Sequence, residues 1–235
     1  MTNFRQADMP TLERLEVWAR RIGMLGFAGE TLMVVVGVSR AWHRPKGRTV
    51  GRAYERLPLP TLLGMLLAGL VGMAALVPLN RRVPLPLPRR WRVLALALGV
   101  VLYSVGFGSV VWGRVTLGEM YNISTEAGAE LYEDHRLVTS GPFAVVRHPM
   151  YVGAIVQFMG AVLLYRTWSV VLLLGAEIVT NTGRARREEQ ALAAEFGDQW
   201  RAYARHVPAG LPFVAGSLRV PASSIWRSGR RQSPG

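Results

Sequence analysis

The chain has 235 residues, half of them hydrophobic, and its 28 Lys and Arg against 15 Asp and Glu give a net charge of +13. The apolar share and the positive mean hydropathy of +0.21 argue against a soluble domain and predict a membrane protein. The sequence has no cysteine, which excludes disulfides, a thiolate nucleophile and a cysteine zinc site. The basic residues flank apolar segments without aromatic residues interleaved on one face, so the predicted partners are membrane lipids and not nucleic acid.

Five apolar segments predict an all-α, polytopic membrane protein. Residues 22–39, 57–79 and 91–112 approach or exceed the length that a transmembrane helix needs. Residues 151–164 and 168–182 are shorter and predict a shallow helical hairpin. The alternative is four spans, with residues 152–179 as one long broken helix, but the charge of Arg166 in its middle argues against it.

The basic loops predict an orientation. Five spans place the loops in two groups, and the group with most of the basic residues is expected in the cytoplasm. The group expected in the cytoplasm consists of residues 40–56, 113–150 and 183–235. Lys46 is the single lysine among the 28 basic residues, which is typical of a GC-rich bacterial genome but does not identify the membrane. The predicted location is the bacterial inner membrane, with the active site facing the cytoplasm.

Residues 1–112 are predicted to form accessory transmembrane helices and residues 113–214 a catalytic region. Residues 215–235 are predicted to be a disordered tail. Within the second region, apolar residues recur every three or four positions and predict a C-terminal amphipathic helix on the cytoplasmic face, bent near Gly197. These residues are Leu192, Phe196, Trp200, Tyr203 and Val207.

The polar passage at residues 135–151 carries the main functional signal. His135, Arg147 and His148 are ionisable and stand at the predicted membrane edge, where an unpaired charge is costly and usually functional. Pro149 suits the first turn of the helix that follows. The simpler reading is an ordinary loop before a helix.

Three further ionisable residues have both a structural and a functional reading. Glu30 lies inside the first predicted span, where it is either functional or a hydrogen-bonded packing residue. Arg184 and Glu188 lie on one helical face just beyond the fifth span, where they form either part of a site or a weak surface ion pair.

Three ordered blocks of sequence resemble the isoprenylcysteine carboxyl methyltransferase family, integral-membrane enzymes that use S-adenosylmethionine. The blocks are HRLVTSGPFAVVRHPMYVG at 135–153, RARREEQAL at 184–192 and FGDQWRAYARHVPAGLPF at 196–213. The first two also resemble a broader group of membrane methyltransferases that includes enzymes acting on phospholipid amines. The third block favours the carboxyl methyltransferases.

The resemblance implies methyl transfer to the carboxylate of a lipid-like, prenylcysteine-type substrate. Arg184, one of two predicted catalytic residues, would face the substrate, and Glu188 would meet the polar end of the cofactor. Arg147, the other predicted catalytic residue, has the chemistry to donate to the cofactor or to anchor the loop to phosphates. The implied cofactor-binding residues are His135, Leu137, Val138, Phe143, His148, Pro149, Met150, Tyr151 and Glu188. Phe143 stands where the family usually has tyrosine, so a hydroxyl contact is absent there.

Other functions stay open at this point. One alternative enzyme methylates the amine head group of a phospholipid, and another is a reductase that uses a nicotinamide cofactor. The non-enzymatic alternative is a membrane scaffold or transporter subunit, although no internal repeat is found. No metal ligand set is found, and the oligomeric state and the role of the first two spans are not predicted.

Overall fold

A computed structural model describes residues 9–41, 46–51, 71, 74, 76–84, 86–121, 128–132 and 134–210. The helices in this part of the chain are α1 (Met9–Ala41), α2 (Arg89–Leu117), α3 (Pro149–Tyr165) and α4 (Trp168–His206). The strands are β1 (Lys46–Gly51) and β2 (Gly128–Tyr132), and single 3-10 turns cover Gly118–Met120 and Gly141–Ala144. Most of the second predicted span and the predicted tail lie outside the described residues.

The third predicted span is the clearest membrane helix. Among the described residues, one helical segment, Arg89–Met120, is long and apolar enough to cross a bilayer. The first predicted span lies inside α1, which begins earlier, at Met9, because its polar start and the apolar segment form one continuous helix. The number of five spans stays a prediction.

The turn of the predicted helical hairpin lies at Arg166 and Thr167, between α3 and α4. Arg166 adopts the left-handed conformation (φ 53°) that ends α3. The second leg differs from the prediction, since α4 runs on for 39 residues and includes the amphipathic segment. Its one non-helical residue is Gly197 (φ 50°, ψ −115°), which lies where the sequence predicts a bend.

A two-stranded antiparallel sheet accompanies the predicted helices. β1 pairs with β2, with Lys46 opposite Tyr132 and Gly51 opposite Gly128. The sequence analysis treats both segments as loops, because each strand is short and its partner lies far away in the chain. The pairing joins two loops that the charge distribution places on the same side of the membrane.

Glycines bring α2 and α3 into backbone contact. Gly106 of α2 is buried, and a Cβ added there would lie 2.5 Å from the carbonyl oxygen of Gly153. Gly99 and Gly113, seven residues to either side, also face α3, where an added Cβ would meet the side chains of Leu164 and Met150. Small residues at such spacing let membrane helices pack closely, where apolar side chains gain little from leaving lipid.

We expect Gly106→Ala to lower the free energy of unfolding by about 2 kcal/mol or more, because the new methyl group must push two backbones apart. The matched control is Gly108→Ala on the same helix, where an added Cβ meets nothing within 4 Å. Thermal unfolding in detergent measures both variants. Equal unfolding temperatures for the two variants would contradict this packing.

Inside the predicted membrane region, Gln157 of α3 donates a 3.0 Å hydrogen bond from Nε2 to Glu30 of α1. Gln157 is buried, and the bond ties α1 to α3. This contact agrees with the structural reading of Glu30, and a functional role stays a prediction.

Candidate functional site

A cavity opens where the end of α2, the passage before α3 and the middle of α4 meet. Its walls are mostly apolar and aromatic, with a few ionisable groups among them. The lining residues are Leu117, Met120, Leu131, His135, Leu137, Val138, Phe143, Arg147, His148, Glu188, Leu192, Trp200 and Tyr203. Such a mixture is typical of sites for small organic ligands.

Most of the predicted site residues meet at this cavity. His135, Leu137, Val138, Phe143, Arg147, His148 and Glu188 line it. Pro149 and Met150 do not line it, because they pack against α2. The Pro149 carbonyl oxygen accepts a 2.9 Å hydrogen bond from Ser109, and Met150 lies against Gly113.

Tyr151 lies behind the cavity wall and orients two lining residues. Its ring stacks on the His148 ring, with centroids 5.7 Å apart. Its hydroxyl donates a 2.5 Å hydrogen bond to Oε1 of Glu188. Tyr151 therefore acts through Glu188 and His148, and it does not line the cavity itself.

Arg147 and Glu189 form a buried ion pair that holds the passage to α4. The Nε and Nη2 atoms of Arg147 lie 2.8 and 2.6 Å from Oε1 of Glu189, which is 2% exposed. Its Nη1 donates to the carbonyl oxygens of Ala204 and Val207, and its backbone N–H donates to that of Pro208. Arg147 thereby fixes one wall of the cavity to the end of α4.

His148 links both glutamates of the second sequence block. Its Nε2 lies 3.1 Å from Oε1 of Glu189, and its Nδ1 lies 3.6 Å from Oε2 of Glu188. Burial lowers the pKa of His148, but hydrogen bonds and charges from Glu188 and Glu189 raise it more, so the pKa lies above the ordinary 6.5. The imidazolium form is therefore favoured in the folded protein.

We expect this histidine to stabilise the fold more at mildly acidic than at alkaline pH. A pKa raised on folding contributes stability that is fully present below 6.5 and is lost as the pH rises through the folded pKa. The unfolding temperatures of the wild type and His148→Gln, measured from about pH 6 to about pH 9, should therefore converge. A gap between them that widens with pH would contradict the assignment.

The sequence analysis misses several residues that form the site. Trp200, only 1% exposed, lines the cavity, and its Nε1 has no hydrogen-bond partner among the described residues. Tyr203 also lines it and donates a 2.6 Å hydrogen bond to the Phe143 carbonyl oxygen. Burial raises the pKa of Tyr203 to about 12, so the hydroxyl stays protonated as a donor. The regular spacing of these aromatics signalled only an amphipathic helix face.

Arg184 lies on α4 one turn before Glu188, outside the cavity lining. The sequence analysis offers a weak surface ion pair between Arg184 and Glu188 as one alternative. In the described part of the chain, Glu188 instead accepts a hydrogen bond from Tyr151 and lies near His148. The Nε of Arg184 is buried and has no hydrogen-bond partner in the described part of the chain. A buried guanidinium N–H in this state is suited to an anionic ligand group.

Comparison with known proteins shows a similarity to methyltransferases. A family model described as phospholipid methyltransferase matches residues 94–199, a range that includes α2, the polar passage and most of α4. The chain is therefore similar to membrane methyltransferases over the whole of the candidate site except its C-terminal edge.

Several curated relatives are named protein-S-isoprenylcysteine O-methyltransferases. The enzyme of Schizosaccharomyces pombe is 36% identical over 83 residues, which are 35% of each chain. That of Xenopus laevis is 34% identical over 121 residues, 51% of this chain and 42% of the other. The human enzyme is 36% identical over 117 residues, 49% of this chain and 41% of the other. These findings confirm the resemblance drawn from the three sequence blocks.

A solved structure of the eukaryotic intramembrane Ras methyltransferase, an isoprenylcysteine carboxyl methyltransferase, is also similar. It is 22% identical, the match covers 69% of this chain and 56% of the other, and the TM-score is 0.43. The chain spans about two fifths of the length of the curated relatives it matches.

Proposed function

We propose that this chain is a membrane carboxyl O-methyltransferase. It moves a methyl group from S-adenosylmethionine to the carboxylate of a prenylcysteine-type, lipid-like substrate. The observation that carries the proposal is the Nε of Arg184, which is buried and has no hydrogen-bond partner among the described residues. It lies one helical turn from Glu188, which lines the cavity. The active site is proposed to face the cytoplasm.

The cavity fits the cofactor in two respects. Its aromatic and aliphatic walls, including Phe143 and Trp200, suit a flat adenine, and Trp200 offers a buried Nε1 that lacks a partner in the described residues. Glu188 offers a carboxylate to the ammonium of the cofactor's amino-acid part, and His148 lies beside it. These groups would hold a zwitterionic nucleoside derivative.

In this methyl transfer the protein mainly has to orient the cofactor and the acceptor. S-adenosylmethionine supplies a methyl group on an already activated sulfonium. The acceptor carboxylate is ionised at neutral pH, so no residue has to remove a proton from it. Arg184 holds that carboxylate by its guanidinium, and the apolar walls exclude water that would otherwise solvate it.

Arg147 is proposed as a positioning residue. Its guanidinium is already engaged by Glu189 and two carbonyl oxygens, so it acts through the wall that it fixes. This proposal replaces the catalytic role that the sequence analysis predicts for Arg147. Arg184 is then the residue that is proposed to contact the substrate.

A second candidate function is the methylation of an amine head group. The family model's description, phospholipid methyltransferase, favours it. The charge of Arg184 disfavours it, because a cationic side chain repels a protonated amine and has no acceptor to offer.

The test is a matched pair of acceptors. The purified full chain, in lipid nanodiscs with isotope-labelled S-adenosylmethionine, receives either a short prenylated cysteine with a free carboxylate or its carboxamide. We expect a base-labile methyl ester on the first acceptor and no transfer to the second. Transfer only to phosphatidylethanolamine, supplied in a third reaction, would establish the amine alternative and overturn the proposal.

A further inference from the structure

An arginine cluster surrounds one buried carboxylate at the end of the helices opposite the cavity. Glu16 of α1 is 5% exposed and accepts hydrogen bonds from Arg92 of α2 at 3.2 and 3.0 Å. Arg166, in the hairpin turn, donates to it at 2.8 Å, and Nη2 of Arg20 lies 3.5 Å from it. Three separate segments of the chain therefore meet at this carboxylate.

Arg82 completes the cluster. Its backbone pairs with Thr167 in the hairpin turn. Burial lowers the pKa of Arg20 most, the charge of Glu16 opposes this, and the positive charges of Arg166 and Arg82 lower the pKa of Arg20 further. We define the arginine cluster as Arg20, Arg82, Arg92 and Arg166 around Glu16.

The cluster keeps excess positive charge. Burial raises the pKa of Glu16, but the hydrogen bonds and charges of Arg92 and Arg166 lower it more, so the carboxylate is ionised. Glu13 also acts on Arg92, so that, among the described residues, two carboxylates oppose four guanidiniums. The Nη1 atoms of Arg20, Arg92 and Arg166 donate to no described residue, and each of these side chains is about one fifth exposed.

The position of the cluster matches the head-group layer of a bilayer. α3 connects His148 at the cavity to Arg166 at the cluster, and its 17 residues rise about 25 Å, close to the thickness of a hydrocarbon core. Trp18, Trp91 and Trp168 lie within two residues of the cluster on three helices, and all three are exposed. Exposed tryptophans at such a level are typical of a membrane interface.

We infer that the arginine cluster binds the phosphate of an anionic phospholipid in the leaflet opposite the cavity. Guanidinium forks match the oxygens of a phosphate, and the flanking tryptophans place them where lipid phosphates lie. The bound lipid would contact α1, α2 and the hairpin turn together and so hold these elements in register. The inference does not depend on the methyltransferase assignment.

Native mass spectrometry of the full chain, released from detergent micelles, tests the site. The micelles contain phosphatidylglycerol or, in parallel, phosphatidylcholine. The variants are Arg82→Gln and Arg166→Gln, and the matched control is Arg201→Gln, which removes the same charge from an exposed position on α4. We expect the first phosphatidylglycerol to bind about fivefold more weakly to each cluster variant than to the wild type or the control.

Arg82→Gln keeps the test informative if Arg166→Gln fails to fold, because Arg82 makes no hydrogen bond or ion pair with Glu16 in the described structure. Equal phosphatidylglycerol affinity in Arg82→Gln and in the Arg201→Gln control would overturn the inference. Equal binding of phosphatidylcholine to the wild type would do the same. Displacement of the lipid by millimolar glycerol phosphate would show a site for a free phosphate and overturn the lipid assignment.

Discussion

Arg184→Ala is expected to lower carboxyl methylation by about a hundredfold or more, because the acceptor carboxylate loses the guanidinium that orients it. Binding of S-adenosylmethionine should stay within about twofold of the wild type, since Arg184 lies outside the cavity lining. Arg184→Lys should recover part of the activity, because an ammonium keeps the charge but not the two-pronged geometry.

The matched control for Arg184 is Arg186→Ala, which removes an exposed arginine from the same helix. Initial rates with the prenylated acceptor, measured beside calorimetric binding of the cofactor, separate the two roles. Unchanged rates in Arg184→Ala would remove the main support for carboxylate methylation. A parallel loss in Arg186→Ala would point to a general effect on α4.

Glu188→Ala is expected to weaken S-adenosylmethionine binding by about a hundredfold, because the ammonium of a bound cofactor would lose its carboxylate partner in a partly buried site. Tyr151 and His148 also lose the acceptor that orients them. Glu188→Gln should show most of the same loss, because the amide fills the space without the charge.

The control for Glu188 is Glu195→Gln, which changes an exposed carboxylate farther along α4. Calorimetric titration gives the affinities, and circular dichroism shows whether each variant keeps its helices. A folded Glu188→Gln variant that binds the cofactor as well as the control does would contradict the assignment.

More of the residues that line the cavity than of the surrounding fold could be predicted from the sequence. His135, Arg147, His148 and Glu188 are recognised from ordered blocks, and local helix signals such as Pro149 indicate where they stand. These residues meet at one cavity, although 30 residues lie between the first block and the second.

Contacts between distant segments explain most of what the sequence leaves out. The pairing of β1 with β2 joins two short strands without alternating patterns, and only the folded chain shows that they meet. The second glutamate of the RARREEQAL block, Glu189, has no predicted role, although its buried pairing with Arg147 holds the cavity wall. The role of the Glu16 carboxylate likewise becomes visible only in the folded chain, where two distant arginines, Arg92 and Arg166, bind it.

The glycines of α2 also show what the sequence alone does not predict. The GFG triplet at residues 106–108 lies in mid-helix, which excludes a nucleotide-binding loop, but the sequence does not say which glycine matters. The structure separates them, since Gly106 touches the backbone of α3 whereas Gly108 has open space around it.

Calorimetric titration of S-adenosylmethionine and S-adenosylhomocysteine into the detergent-purified full chain tests the central claim most directly. Our account predicts saturable binding of both at one site per chain, lost in Glu188→Ala and retained in Arg184→Ala. The absence of binding to a folded wild-type protein would contradict the methyltransferase assignment, whatever acceptor is supplied.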